Sequence, residues 1–276
     1  MKGRVGWTKL FFYSLAVAIY LSYYAIRPFE NELALSDMIL QISGSRGSII
    51  LGTSMPEIIS FAFKLMPDLI LECYFGIELY RNYCTASVFI FSRIPNRRKW
   101  YLKETGSLLL FILYYETILH TLVLVFSVFN FDVRFNPMGF FLLGYNILLR
   151  TLWIFLMSLL MNICGILFGG SNFGLGIIIA QLAMIALLSL CKIYPLASHF
   201  NPIAMLVLGW HHSLFAPETD ITSLVKLSEE NLNMLTMGRS FEETGLSILL
   251  ASIAAEFLGS RVVCRKDIIV SDLERD

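Results

Sequence analysis

Three ionisable residues recur at every fourth position of an otherwise apolar stretch: Lys64, Asp68 and Glu72. On a helix that spacing puts them on one stripe, so Lys64 reaches Asp68 one turn on, and Glu72 follows a turn later. Glu116 and His120 repeat the spacing in a second apolar stretch, and Arg150 stands alone in a third. A charged side chain at the centre of a helix in lipid costs about 2.5–3.5 kcal/mol and therefore seeks a partner. Glu116 lies about seventeen residues before a turn near residue 133, and Arg150 about seventeen after it, so at a rise of about 1.5 Å per residue both reach similar depth. The spacing predicts ion pairs Lys64–Asp68 and Glu116–Arg150. Such charges hold helices together; they also suit a polar translocation path or a proton relay.

A second chemically distinctive run is Cys84-Thr-Ala-Ser-Val-Phe-Ile-Phe-Ser-Arg93-Ile-Pro-Asn-Arg97-Arg98-Lys99-Trp100-Tyr-Leu-Lys103-Glu104. Small and apolar residues lead through a proline-broken turn into a basic cluster flanked by Trp100 and Tyr101. A short helix at a membrane interface fits this pattern, with aromatics at headgroup depth and cations turned toward phosphate or a protein partner. Setting topology and binding anionic lipid would require the same charges.

Other constellations fall short of a site. His199, His211 and His212 share no carboxylate or second histidine at helical spacing, and adjacent histidines on a helix point about 100° apart. They are expected at solvent or at an interface. Glu242-Glu243 stands at a span edge without the partners of a membrane-embedded protease. The phosphate-binding pattern Gly-x-x-x-x-Gly-Lys-Ser/Thr is absent. No catalytic role, metal or cofactor is therefore expected. Five cysteines lie singly, without disulfide or metal spacing.

The surrounding elements are set by composition. Of the 276 residues 57% are hydrophobic and 15% charged, against about half and about a quarter in soluble domains. Mean hydropathy is +0.69. From Thr151 to Cys191 no charged residue occurs, too long a stretch for one span of about 20 residues. Two spans joined at Gly169-Gly170-Ser171-Asn172 account for it. The expected fold is all-α: a single polytopic membrane domain over 1–276, with spans at about 10–26, 58–80, 105–129, 139–168, 173–191 and 241–260. The first reads as an uncleaved signal anchor. The fourth is long, and 139–149 lying along the surface is the alternative. Pro67 can bend the second. Asn201 to Trp210 is too short to span and reads as re-entrant or interfacial. Small residues in the sixth span (Gly245, Ser247, Ala251, Ser252, Ala254, Ala255) permit close helix approach, and Glu256 is placed to meet a basic residue of the cytoplasmic loop.

Lysine and arginine favour the cytoplasmic side. With the amino terminus inside, thirteen lie inside and six outside, Lys64 and Arg150 being intramembrane. Both termini are thus expected in the cytoplasm. Zero net charge gives no reason to expect a nucleic-acid partner.

The run Tyr80-Arg81-Asn82-Tyr83-Cys84-Thr85-Ala86-Ser87-Val88-Phe89, with Ser92-Arg93 and Asn96-Arg97-Arg98-Lys99-Trp100-Tyr101-Leu102-Lys103, resembles the first cytoplasmic loop of bacterial six-span permeases similar to the type-2 exporter class of ABC transporters, a group associated with antimicrobial-peptide export and immunity. The match covers about twenty-five residues; the six-span count and an outer segment before span six are similar more loosely. The resemblance implies a coupling helix over Phe89 to Lys103 that docks on a separate ATPase subunit. Phe89, Phe91, Arg93, Arg97, Arg98, Lys99, Trp100 and Lys103 would form the contact. It also implies a second permease subunit, identical or similar, and residence in the bacterial plasma membrane. Two readings of other classes stand beside it: a non-transporting immunity or assembly protein, and a secondary transporter coupled to protons through Lys64, Asp68 and Glu116.

Overall fold

The computed structural model describes residues 6–26, 32–43, 55–89, 96–188, 200–211 and 240–266. Seven α-helices carry most of them: α1 (Trp7–Tyr24), α2 (Leu35–Ile42), α3 (Met55–Phe89), α4 (Arg97–Asn130), α5 (Pro137–Phe168), α6 (Leu175–Leu187) and α7 (Phe241–Arg265). Six of these fall on the six apolar stretches, and α2 is an addition. Three, α4, α5 and α7, are long and apolar enough to cross a membrane. Such helices suit a membrane protein, because a helix closes its own backbone hydrogen bonds where water cannot.

The helix ends follow local chemistry. Asn96 caps α4 by accepting the Lys99 backbone N–H at 2.9 Å. Asn136 caps α5 by accepting that of Gly139, with Pro137 in the first helical position where its missing N–H costs nothing. At the other end of α5, Gly169 adopts φ 76°, a left-handed conformation that needs glycine. A 3-10 turn, Ser171–Gly174, then returns the chain into α6, at the Gly-Gly-Ser-Asn turn read from sequence. Ser240 and Glu243 form a reciprocal capping box at the start of α7.

α5 is the hub. Most of its apolar stretch is buried, while most of α7's faces outward, and it packs against α2, α3, α4, α6 and α7. It runs unbroken from Pro137, so 139–149 is not a separate surface helix and Arg150 lies mid-helix. The buried seam of α7 is Phe241, Thr244, Ile248, Ser252, Ala255, Gly259 and Val263, a spacing of three and four that suits helix packing. Of the small residues noted in sequence, Ser252 and Ala255 belong to this seam, whereas Ser247, Ala251 and Ala254 point away from it. Gly259 permits the closest approach: a Cβ there would stand 2.0 Å from the Tyr101 hydroxyl of α4. One turn earlier Glu256 accepts the Thr105 hydroxyl at 2.5 Å, so its polar contact is a threonine of α4 where a basic loop residue was expected.

Pro67 lies inside α3 and supplies no N–H to the Phe63 carbonyl four residues back. The Tyr20 hydroxyl of α1 donates to that carbonyl at 3.0 Å, and the Tyr13 hydroxyl donates to the Pro67 carbonyl at 2.9 Å. Tyr20 thereby satisfies the carbonyl that the proline leaves open, and Tyr13, one heptad earlier on α1, adds a second tie to α3.

Two expectations change. A short independent helix over 89–103 gives way to two long helices: Phe89 closes α3, and Arg97 to Lys103 form the first turns of α4, with 90–95 outside the described residues. The connection after α4, read as a plain turn, carries the strand β2 (Asp132–Arg134), which pairs in parallel with β1 (Glu32–Ala34): Glu32 with Asp132, Leu33 with Val133, Ala34 with Arg134. Asn136 reinforces the junction, its amide donating to the Ser36 hydroxyl at 3.0 Å. At the opposite end of the bundle Tyr83 of α3 donates to the Lys266 carbonyl at 2.8 Å, and Lys266 donates to the Leu167 carbonyl. The ends of α3, α5 and α7 and the start of α4 converge there.

The α4–α7 contact at Gly259 yields a test. Gly259→Val forces overpacking and should destabilise the fold by about 1–3 kcal/mol. Gly106→Ala, on the open face of α4, should be neutral or stabilising by up to about 1 kcal/mol through helix propensity. Thermal unfolding of the purified protein in detergent checks both, and equal melting temperatures for the two variants would contradict the packing.

Candidate functional site

The charged residues flagged in sequence converge in the interior, in a different pairing. Arg150 of α5 donates from Nε (2.9 Å) and Nη2 (2.5 Å) to the same oxygen, Oδ2, of Asp68 on α3. Both side chains are buried, with 5% and 3% exposure. Glu116 does not bond the guanidinium but stands within electrostatic reach of both members of the pair. Glu116 and Arg150 thus lie near one another, and the ion pair forms with Asp68 instead. Depth follows from counting residues along a helix, whereas the choice between Asp68 and Glu116 depends on how α5 is rotated against α3 and α4.

Lys64 also departs from expectation. Its Nζ donates to the Gln41 carbonyl on the last turn of α2 at 2.8 Å, while Asp68 turns to α5. Four residues advance a helix by about 400°, which leaves the two side chains about 40° apart. That offset is enough for neighbours on different helices to divide them.

Around the ion pair lie three further polar units. His120 places Nδ1 at 2.8 Å from the Glu116 backbone carbonyl and 3.3 Å from its Oε2. The Nε2 of the same ring meets the side-chain nitrogen of Asn146 on α5 at 2.8 Å. Glu72 accepts from Gln181 of α6 at 2.6 Å and hydrogen-bonds Trp153 of α5. Tyr115, fully buried, lies beside Tyr13 of α1, ring centroids 5.7 Å apart. The sequence reading overlooked Tyr115, Asn146, Trp153 and Gln181. A signal existed for Gln181, the single polar side chain of α6: an amide in so apolar a helix needs a hydrogen-bonding partner.

The cluster holds three carboxyls, one guanidinium and one imidazole, and several of its atoms find no hydrogen-bond partner among the described residues: Asp68 Oδ1, Glu72 Oε1, both Glu116 carboxyl oxygens, Arg150 Nη1 and the Tyr115 hydroxyl. Buried acceptors and donors without partners cost about 1–3 kcal/mol each, more for charged groups. Chemically, such an arrangement can lock helices in register and can accept protons. No grouping of His, Cys, Asp and Glu suited to a metal ion occurs among the described residues.

The proposed coupling residues divide. Arg97, Arg98, Lys99, Trp100 and Lys103 occupy the first two turns of α4, with Arg98, Lys99 and Lys103 exposed. Trp100 packs near Tyr83, centroids 6.5 Å apart. Phe89 ends α3, and Phe91 and Arg93 lie outside the described residues. Exposed Arg81, Arg261 and Arg265 share this end. Of the histidines, His211 is buried, not at the surface as expected: its Nε2 lies 3.0 Å from the Thr244 hydroxyl and its ring stacks on Phe241. His199 and His212 lie outside the described residues. The 200–211 segment forms two short 3-10 turns, Pro202–Leu206 and Leu208–Trp210, tied to α6 by Asn201 donating to the Met184 carbonyl at 2.8 Å; this is a folded irregular element, not an α-helix.

Comparison of the chain with family models, with curated proteins and with solved structures returned no match.

The ion pair predicts non-additive mutations. Asp68→Asn or Arg150→Met alone leaves a buried charge unpaired and should destabilise by about 3–5 kcal/mol. Combined, they should cost clearly less than the sum of the two. Melting temperatures of the four proteins in one detergent decide it, and strict additivity would remove the pair's role.

Proposed function

We propose that the chain is a multi-pass protein of a bacterial plasma membrane, acting as the permease subunit of an ATP-driven exporter for a peptide or other amphipathic substrate. A separate ATPase would supply the energy and a second permease subunit would complete the pathway. The observation that carries this reading is the length of α3 and α4 on the basic side. Measured from Asp68 and Glu116, both helices continue about 30 Å toward Phe89 and Arg97, but only about 20 Å the other way. Trp7, at the start of α1, packs on Phe111 and Tyr114, so α4 projects about 20 Å beyond that level. A hydrocarbon core is about 30 Å thick, and helices this long reach past it. Their projecting ends carry Arg81, Arg98, Lys99 and Lys103 at the surface. In a cytoplasmic orientation this end would be a stiff, cationic lever, continuous with the spans, on which an ATPase could act.

The six spans, both cytoplasmic termini and the coupling role belong to this proposal, and the resemblance of residues 80–103 to exporter permeases supports it. The buried charges favour a second reading, a proton-coupled carrier, whose transport would fail with the proton gradient while ATP remained. A non-transporting immunity or assembly protein would have no ATP-binding companion.

Purification of the full chain from its native membranes should bring an ATP-binding polypeptide in fixed ratio. Replacing Arg93, Arg97, Arg98, Lys99 and Trp100 by alanine should release that polypeptide while leaving the chain folded. Retention after replacement would overturn the docking assignment, and absence of any ATP-binding companion in the native preparation would overturn the exporter reading itself.

A further inference from the structure

Among the buried carboxyls, one has no hydrogen-bond partner at either oxygen within the described residues. Asp68 and Arg150 neutralise one another. Glu72 has Gln181 and Trp153 as hydrogen-bonding partners. Glu116 is 0% exposed, and neither of its carboxyl oxygens has a hydrogen-bond partner among the described residues. The nearest group able to acquire positive charge is His120, its Nδ1 3.3 Å away. A second unpartnered polar atom, the Tyr115 hydroxyl, belongs to a side chain of 0% exposure on the residue before Glu116. A buried carboxylate without a partner is costly, so the site gains by taking up a proton or a counter-charge.

The Asn146 amide makes the histidine adjustable. With Nδ1–H donating to the Glu116 backbone carbonyl, Nε2 is left with its lone pair and accepts from the Asn146 amide nitrogen, as the 2.8 Å contact has it. A side-chain amide presents a donor on one side and an acceptor on the other. Turned end for end, Asn146 would offer Nε2 an oxygen and accept from a protonated ring.

We infer that Glu116, His120 and Asn146 form a site that binds one exchangeable proton from water. On uptake, a new N–H bond forms at His120 Nε2 and Asn146 turns its oxygen to accept it. The resulting imidazolium then faces the Glu116 carboxylate across the existing Nδ1 contact. On release, that bond breaks, the proton returns to water and the amide nitrogen again donates to Nε2. The charged and titratable neighbours are Asp68 and Glu72 on α3, Tyr115 on α4, Arg150 on α5 and Tyr13 on α1. The Asp68–Arg150 pair, being already balanced, holds α3 against α5 while the proton comes and goes. The inference stands whether or not the chain exports anything.

The chain has four histidines, so 15N-histidine NMR of the full-length protein in nanodiscs reads the site directly, with the His120 signal assigned as the one lost in His120→Gln. Lowering the pH should convert His120 from the neutral, Nδ1-protonated ring to imidazolium. Glu116→Gln should abolish that conversion over the same range. Asn146→Leu, which keeps the carboxylate but removes the acceptor at Nε2, should also suppress it and serves if Glu116→Gln fails to fold. A His120 ring in one form at every pH overturns the proposal, as does titration unchanged in a folded variant. A His120 spectrum that responds to sodium at fixed pH would assign the cluster to a metal ion and overturn it as well.

Discussion

Asp68 and Arg150 share one oxygen and two donated hydrogens in the buried interior, where α3 and α5 pack together. Their attraction is strong only because the surroundings are apolar, and the same surroundings make separation costly. Sliding α3 against α5 by one turn, about 5.4 Å, would leave two buried charges without compensation. Close packing fixes the same register: Gly76 of α3 lies against Met161 of α5, and Gly165 of α5 against Tyr80 of α3, where a Cβ at either glycine would crowd its neighbour. Charge and shape therefore act together in this interface. The hub position of α5 fits this: it carries Arg150, the one buried lysine or arginine among the described residues, with Asp68 of α3 and Glu116 of α4 within its electrostatic reach.

Much of this was legible in the amino-acid sequence, and the parts that were not share a cause. Apolar blocks marked α1, α3, α4, α5, α6 and α7, because each helix writes its own hydropathy. The turn at Gly169 was legible because glycine announces a left-handed residue. Proximity was legible too, bringing Arg150 within electrostatic reach of Glu116. Pairing across helices was not. Whether Arg150 chose Asp68 or Glu116, and whether Lys64 turned toward Asp68 or toward Gln41, depends on rotations of one helix about another. The β1–β2 pairing went unseen for a related reason, since three residues on each side carry no periodicity. His211 was placed at the surface by its type, yet the fold gives it Thr244 and an aromatic bed between α5 and α7.

The two ends of the bundle differ in kind. At one, a short parallel ribbon and the Asn136–Ser36 contact tie three segments of chain by backbone pairing. At the other, α3 and α4 run on as single helices, held by Tyr83, Lys266 and the Tyr101–Gly259 contact, with arginine and lysine on the outside. Backbone pairing resists bending in a way that a few side-chain contacts do not. The ribbon end is thus held through the backbone and the basic end through side chains.

That asymmetry gives Pro67 its significance. It interrupts the hydrogen-bond ladder of α3 directly before Asp68, so the weakest point of the helix adjoins its ionic anchor. Tyr13 and Tyr20 of α1 occupy carbonyls at the break, which ties α1 to α3 there. The Tyr13 ring also lies beside that of Tyr115, the neighbour of Glu116. Break, ion pair and proton site thus lie within a single layer of side chains. A change of charge at Glu116 and His120 would act on this layer, and any change of angle at the break would be magnified along the roughly 30 Å of α3 that follows. If an ATPase works on that end, the lever also runs in reverse, and force applied near Phe89 arrives where the buried charges are least able to tolerate displacement.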